Sequence, residues 1–185
     1  MAIDILDLKS AVVVVPADTL DESDTLRVQN PLGKLPCLLL PDGTALFDSR
    51  VIIEYLQHVA GSEPFCPAQG ERRYRLLTRA TLADGITDAA LLMVYESRFR
   101  EPGSHSQRWL SHQTGKIKRA LAAFERDPPS PDTTDIVSIS LACALGYLDW
   151  RQPVAWRPDF PRLVAWLDAF AAHEPSYANT HADAG

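Results

Sequence analysis

The sequence predicts a two-part chain, an α/β half followed by an all-helical half, on three observations. The hydrophobic pattern over residues 1–63 favours short strands closed by turns, and over residues 68–185 it is helical. A break with Pro64 and Pro67 lies between Gly61 and Gly70, where the period changes. Finally, 185 residues with 46% hydrophobic and 23% charged content suit one large or two small domains with real cores.

The elements follow in order. Ala2 to Leu8 reads as the tail of a helix or, from the alternation at Ile3-Asp4-Ile5, as the start of a strand. Ala11 to Val15 is continuous and β-branched, as in a strand buried on both faces, and Pro16 ends it. A polar stretch, Asp18 to Gln29, leads to the turn Asn30-Pro31-Leu32-Gly33, where Pro presets one residue and Gly supplies positive φ. A strand over Leu35–Leu40 should then pair with Ala45–Phe47 across a two-residue turn centred on Asp42-Gly43. Asp48-Ser49 caps a helix whose apolar residues Val51, Ile52, Tyr55, Leu56 and Val59 run to a stop at Gly61.

In the second half, helices are expected over 71–100, 106–126, a stretch beginning at Asp135, and 160–173. The third carries Ile136, Val137, Ile139, Leu141, Ala142, Ala144, Leu145 and Leu148, which makes it the buried centre of a bundle. Residues 177–185 are small and polar and read as disordered.

Composition excludes several function classes. A net charge of −6 offers no basic footprint for nucleic acid or an anionic membrane surface. The longest apolar runs, AVVVV and CLLL, fall far short of the roughly 20 residues that span a bilayer, and no signal pattern opens the chain, so a cytoplasmic location is expected. Cys37, Cys66 and Cys143 are too scattered for a disulfide framework or a zinc site.

Taken in series, NPLGKLP, LFDSRVIIEYL, LADGITDAALLMVYESR and SISLACALGYLDWR resemble the bacterial branch of the cytosolic glutathione S-transferases, over nearly the whole chain. The resemblance implies a thioredoxin-like first domain, a helical-bundle second domain and a homodimer. It also implies conjugation of glutathione thiolate to small hydrophobic electrophiles, with glutathione as co-substrate and no other cofactor.

Leu35-Pro36 resembles the family's residue-plus-cis-proline pair, whose free backbone amide and carbonyl hold an extended peptide as an added strand would. Ser49 lies at a helix N-terminus, where unpaired N–H groups and the dipole favour an anion such as the γ-glutamyl carboxylate. Asp48 can answer the ammonium, and Lys34 can reach the glycyl carboxylate. Alone, Asp-Ser before a helix is an ordinary cap, and a Lys beside a turn is ordinarily solvated. Where the family caps its central helix with Ser/Thr-x-x-Asp, Asp135-Ile136-Val137-Ser138 exchanges the two residue types, so reciprocal capping should survive.

The family's thiol-activating Ser, Cys or Tyr follows an opening strand. Met1 to Ser10 leave no room for that strand and its helix, so the first domain is expected to be incomplete and no catalytic residue is assigned. Ser10 is the only hydroxyl before Thr19; Cys37 reads as core and Cys66 as a surface thiol in the linker. No histidine stands in a catalytic arrangement. In the family the long helix over 71–100 lines the electrophile cleft. Here Leu77, Thr81, Asp84, Asp88, Leu92 and Tyr95 share a face, and Tyr74, Asp84 and Tyr95 are the candidates.

Overall fold

The computed structural model describes residues 1–180. The chain forms two compact units, Met1–Glu63 and Pro64 onward.

In the first unit, α1 (Ala2–Ile5) and α2 (Leu26–Gln29) precede a hairpin of β1 (Leu38–Leu39) and β2 (Ala45–Leu46), followed by α3 (Ser49–Ala60). The opening residues thus take the helical alternative. Leu26, Ile52 and Leu56 are buried here. The hairpin is antiparallel, with Leu38 opposite Leu46 and Leu39 opposite Ala45. Leu40 N–H donates to the Thr44 carbonyl at 2.9 Å, leaving Pro41, Asp42 and Gly43 as a three-residue loop. Gly43 supplies the left-handed residue, with φ 88°, that such loops require. The expected two-residue turn is therefore one residue longer, and each strand is shorter than its apolar run.

Ala11–Val15 departs furthest from expectation. It forms no strand, and Val13, Val14 and Val15 are 86%, 83% and 74% exposed. β-branched side chains favour extended backbone, but burial on both faces needs ladder partners. The backbone of Val12 to Val15 has none among the described residues. The short helix α2 went unread because Asp24, rather than an apolar period, starts it: its carboxylate accepts the Leu26 N–H at 2.7 Å.

The second unit holds α4 (Glu71–Phe99), α5 (Gln107–Arg126), α6 (Ile136–Arg151), a 3-10 turn at Arg157–Asp159, α7 (Pro161–His173) and α8 (Pro175–Asn179). α6 packs against α4 and α7, and all eight of its expected core residues are buried. Its start is the reciprocal cap: Asp135 Oδ1 accepts the N–H groups of Val137 at 2.9 Å and Ser138 at 3.1 Å, while Ser138 Oγ accepts the Asp135 N–H at 2.9 Å. Ile136 N–H also donates to the Phe65 carbonyl at 2.9 Å. That contact draws the linker into the core, so Cys66 is buried rather than a surface thiol.

The first residues of the tail expected to be disordered, Tyr177 to Asn179, instead lie in α8. Glu174 caps it by accepting the Ser176 N–H at 3.1 Å, and Tyr177 packs edge-on to Phe170 with centroids 6.3 Å apart. Burial pushes the Tyr177 phenol up to about 12. Residues 181–185 of that expectation, with His181, lie outside the described residues.

One carboxylate joins consecutive helices. Buried Glu96, in the last turn of α4, accepts the Ser106 N–H at the α5 N-cap at 2.8 Å and the Arg100 Nε at 2.8 Å. The Ser106 amide, then the Arg100 guanidinium, hold its carboxyl below the ordinary glutamate range. The native state therefore binds that proton less readily than the unfolded chain. The resulting stability is present above the ordinary pKa of about 4.3 and is lost as pH falls through the lowered value. Denaturant titrations across that window should show a shallower acid loss for Glu96→Gln than for the parent protein.

Candidate functional site

The candidate site is built at one end of the hairpin. Leu38 faces Leu46, so Leu35-Pro36, running into β1, and Asp48-Ser49, running out of β2, meet at the same end. The Leu35–Pro36 bond is cis, as the resemblance implies, and the Phe47–Asp48 bond is cis as well. Leu35 is 52% exposed, and neither its N–H nor its carbonyl has a partner among the described residues. That is one donor and one acceptor on the same exposed residue, available to a peptide.

Asn30 sets up this edge, and no feature of its sequence neighbourhood singled it out beyond the turn. Its side chain is 1% exposed; Oδ1 accepts the Leu32 N–H at 3.0 Å and Nδ2 donates to the Lys34 carbonyl at 2.8 Å. Gly33, with φ 59°, returns its N–H to the Asn30 carbonyl at 2.8 Å. Asn30 thus fixes the turn immediately before Leu35.

At the α3 start, Asp48 Oδ1 accepts the Arg50 N–H at 3.1 Å, so Asp48 is the cap. Ser49 is the first helical residue; its hydroxyl is exposed and unpartnered among the described residues. Lys34 is exposed, with no carboxylate on its ammonium among those residues. An exposed cation, a free hydroxyl and a helix N-terminus suit a small molecule carrying carboxylates. Asp48, exposed at the α3 cap, supplies a negative charge for an ammonium.

The second unit does not gather the other three candidates. Tyr74 is 70% exposed near the α4 start, whereas Asp84 and Tyr95 are half-buried farther along it. Tyr95 packs edge-on to Phe99 at 5.3 Å. Across from α4, α6 brings Tyr147, which the sequence reading passed over because its neighbours suggested only core. Burial pushes the Tyr147 phenol up, against the pull of Arg151, and Tyr95 lies near enough to add to the rise. Among the described residues no group of three metal-ligating side chains occurs, and no helix is long and apolar enough to cross a membrane.

Comparison with known proteins identifies the family. Residues 1–59 match the model of the glutathione S-transferase N-terminal domain, and residues 107–169 that of the C-terminal domain. The chain belongs to the glutathione S-transferase family. It is 35% identical over 156 residues to the uncharacterized GST-like protein YibF of Escherichia coli K12, covering 82% of this chain and 76% of YibF. A Pseudomonas fluorescens Pf-5 glutathione transferase family member, solved with bound glutathione, superposes with a TM-score of 0.89 at 40% identity, over 97% of this chain and 90% of that one. A Methylobacterium radiotolerans glutathione S-transferase, in complex with glutathione sulfonate, gives 0.85 at 30% identity, over 97% and 86%. The fold is thus a glutathione S-transferase fold: a small antiparallel sheet with helices, then a helical domain.

Proposed function

We propose that this glutathione S-transferase family member binds glutathione at the end of its hairpin and conjugates the thiolate to small hydrophobic electrophiles. The unpaired backbone of Leu35, exposed beside the α3 N-terminus, carries this reading. Leu35 pairs with the peptide backbone, Ser49 and the first-turn amides of α3 take the γ-glutamyl carboxylate, Asp48 takes the ammonium, and Lys34 takes the glycyl carboxylate. The ligand in the Pseudomonas fluorescens relative supports the choice of peptide. Half-buried Tyr95 and Tyr147 offer aromatic wall for the electrophile, with Asp84 and Tyr74 nearer the α4 start. A homodimer in the cytoplasm, needing no cofactor beyond its co-substrate, belongs to the same proposal.

Two measurements on the full chain test it. Calorimetry should show heat of glutathione binding, and a model aryl halide should turn over faster with protein than in buffer. Heat without turnover would make the chain a glutathione-binding module; neither signal would leave only a structural or interaction role.

A further inference from the structure

The arginines at the ends of α4 and α6 divide into two kinds. Arg100, just past α4, reaches Glu96 at 2.8 Å, and Arg157, beyond α6, reaches Asp149 at 2.7 Å. Arg98 in the last turn of α4 and Arg151 in the last turn of α6 have no carboxylate partner among the described residues. A cation in a last turn suits the helix dipole, and that role alone would leave its guanidinium free in water. Each of these two lies instead on an aromatic ring of its own helix. Arg98 Cζ is 5.8 Å from the Tyr95 ring centroid, and Arg151 Cζ is 3.4 Å from that of Trp150. Stacking orients the guanidinium plane and its forked donors, so less freedom is lost when an anion arrives.

Both cations also bear on one phenol. Tyr147, half-buried on α6, stands edge-on to Trp150 with centroids 6.0 Å apart, and α6 packs against α4. Burial raises the Tyr147 phenol; Arg151 and Arg98 lie near enough to pull it down, and Tyr95 near enough to add to the rise. The net rise keeps the hydroxyl protonated, as a donor rather than a second anion. Tyr147 thus joins the two helix ends: two unpaired guanidinium forks and one phenol donor beside a pair of half-buried tyrosine rings. Donors of this kind suit a carboxylate, whose two oxygens accept from a fork or from a fork and a hydroxyl together. The rings thin the water around that charge, which strengthens the contact relative to a fully solvated pair.

Resting on the reading of Tyr95 and Tyr147 as electrophile wall, we propose that Arg98 and Arg151 are specificity-determining residues that select electrophiles carrying a carboxylate. The body of the electrophile lies along the tyrosine rings, and its carboxylate takes the guanidinium forks with the Tyr147 hydroxyl as a third donor. The test reaction uses 4-chloro-3-nitrobenzoate. Glutathione thiolate forms a C–S bond at the chlorine-bearing carbon, chloride leaves with the C–Cl electron pair, and the thiol proton passes to water.

Binding is measured first, by calorimetry on the full chain without glutathione, for 4-nitrobenzoate and for 4-nitrobenzamide, which has the ring without the charge. Turnover with glutathione is then measured for 4-chloro-3-nitrobenzoate and its amide, each rate divided by its own uncatalysed rate. The carboxylate should be favoured about tenfold or more in both measurements. Arg98→Gln and Arg151→Gln should each cut that preference to about threefold or less, with helical circular dichroism unchanged. Arg151→Lys keeps the charge without the fork and should retain more of the preference than Arg151→Gln. No binding of 4-nitrobenzoate, equal binding of the amide, or a preference that survives both glutamine variants would overturn the assignment. So would turnover of both chloro compounds without preference. An arginine-dependent preference in binding, with no turnover of either compound, would keep the carboxylate subsite and remove the conjugation reading alone.

Discussion

Asp149→Ala should destabilise the helical unit by about 3 kcal/mol, the largest loss expected of any single exposed or half-buried polar residue. Asp149 lies near the end of α6 and accepts three hydrogen bonds: Trp156 Nε1 at 2.8 Å and Arg157 Nε at 3.0 Å on Oδ1, and Arg157 Nη2 at 2.7 Å on Oδ2. Trp156 is 3% exposed, so without Asp149 its indole N–H is left buried and unpaired. That alone costs about 1 to 3 kcal/mol, and losing the two-pronged Arg157 contact adds to it. The Asp149 hydrogen bonds, chiefly, hold the Arg157 guanidinium above its ordinary range. An asparagine in place of the aspartate keeps an acceptor for the indole but no charge for Arg157, so Asp149→Asn should recover about half the loss. Urea unfolding followed by tryptophan fluorescence reads both. Equal losses for the alanine and asparagine variants would mean that the charge, and not the buried indole, is what Asp149 serves.

That latch marks where sequence reading stops. SISLACALGYLDWR was informative as a helix, because its apolar residues and its Asp135–Ser138 cap are local signals, and the helix appears at Ile136–Arg151 as expected. What Asp149 bonds to depends on how the chain returns after Gln152, whose φ of 50° turns it, and no local pattern encodes that return. Glu96 is equally opaque: a glutamate late in a long helix reads as solvated, and the Ser106 amide that it accepts lies beyond the end of that helix. The hairpin end was legible for the opposite reason. Asn30-Pro31-Leu32-Gly33, Leu35-Pro36 and Asp48-Ser49 are turn, extended and capping signals whose geometry is set within a few residues. The valines failed because a strand is a relation between segments. Val12 to Val15 specify an extended backbone and an apolar surface, but nothing in them names a neighbour.

Ser49→Ala should lower glutathione affinity about tenfold to a hundredfold while leaving α3 intact, if the γ-glutamyl carboxylate sits on the first turn of that helix. A hydrogen bond to a charged group is worth about 1.5 to 3 kcal/mol, and each 1.4 kcal/mol is a factor of ten. The separation of roles at this helix start makes the test clean. Asp48, not Ser49, accepts the Arg50 N–H and caps α3, so removing the Ser49 hydroxyl leaves the cap in place. Asp48→Ala behaves differently, because it removes the cap at a cost of about 1 kcal/mol and also the only carboxylate proposed for the ammonium. Affinity and stability should therefore fall together for Asp48→Ala and come apart for Ser49→Ala. Calorimetry with glutathione, paired with denaturant unfolding of each variant, shows which. An unchanged affinity for Ser49→Ala with Asp48→Ala also unaffected would remove glutathione from the α3 start, whatever binds at Leu35.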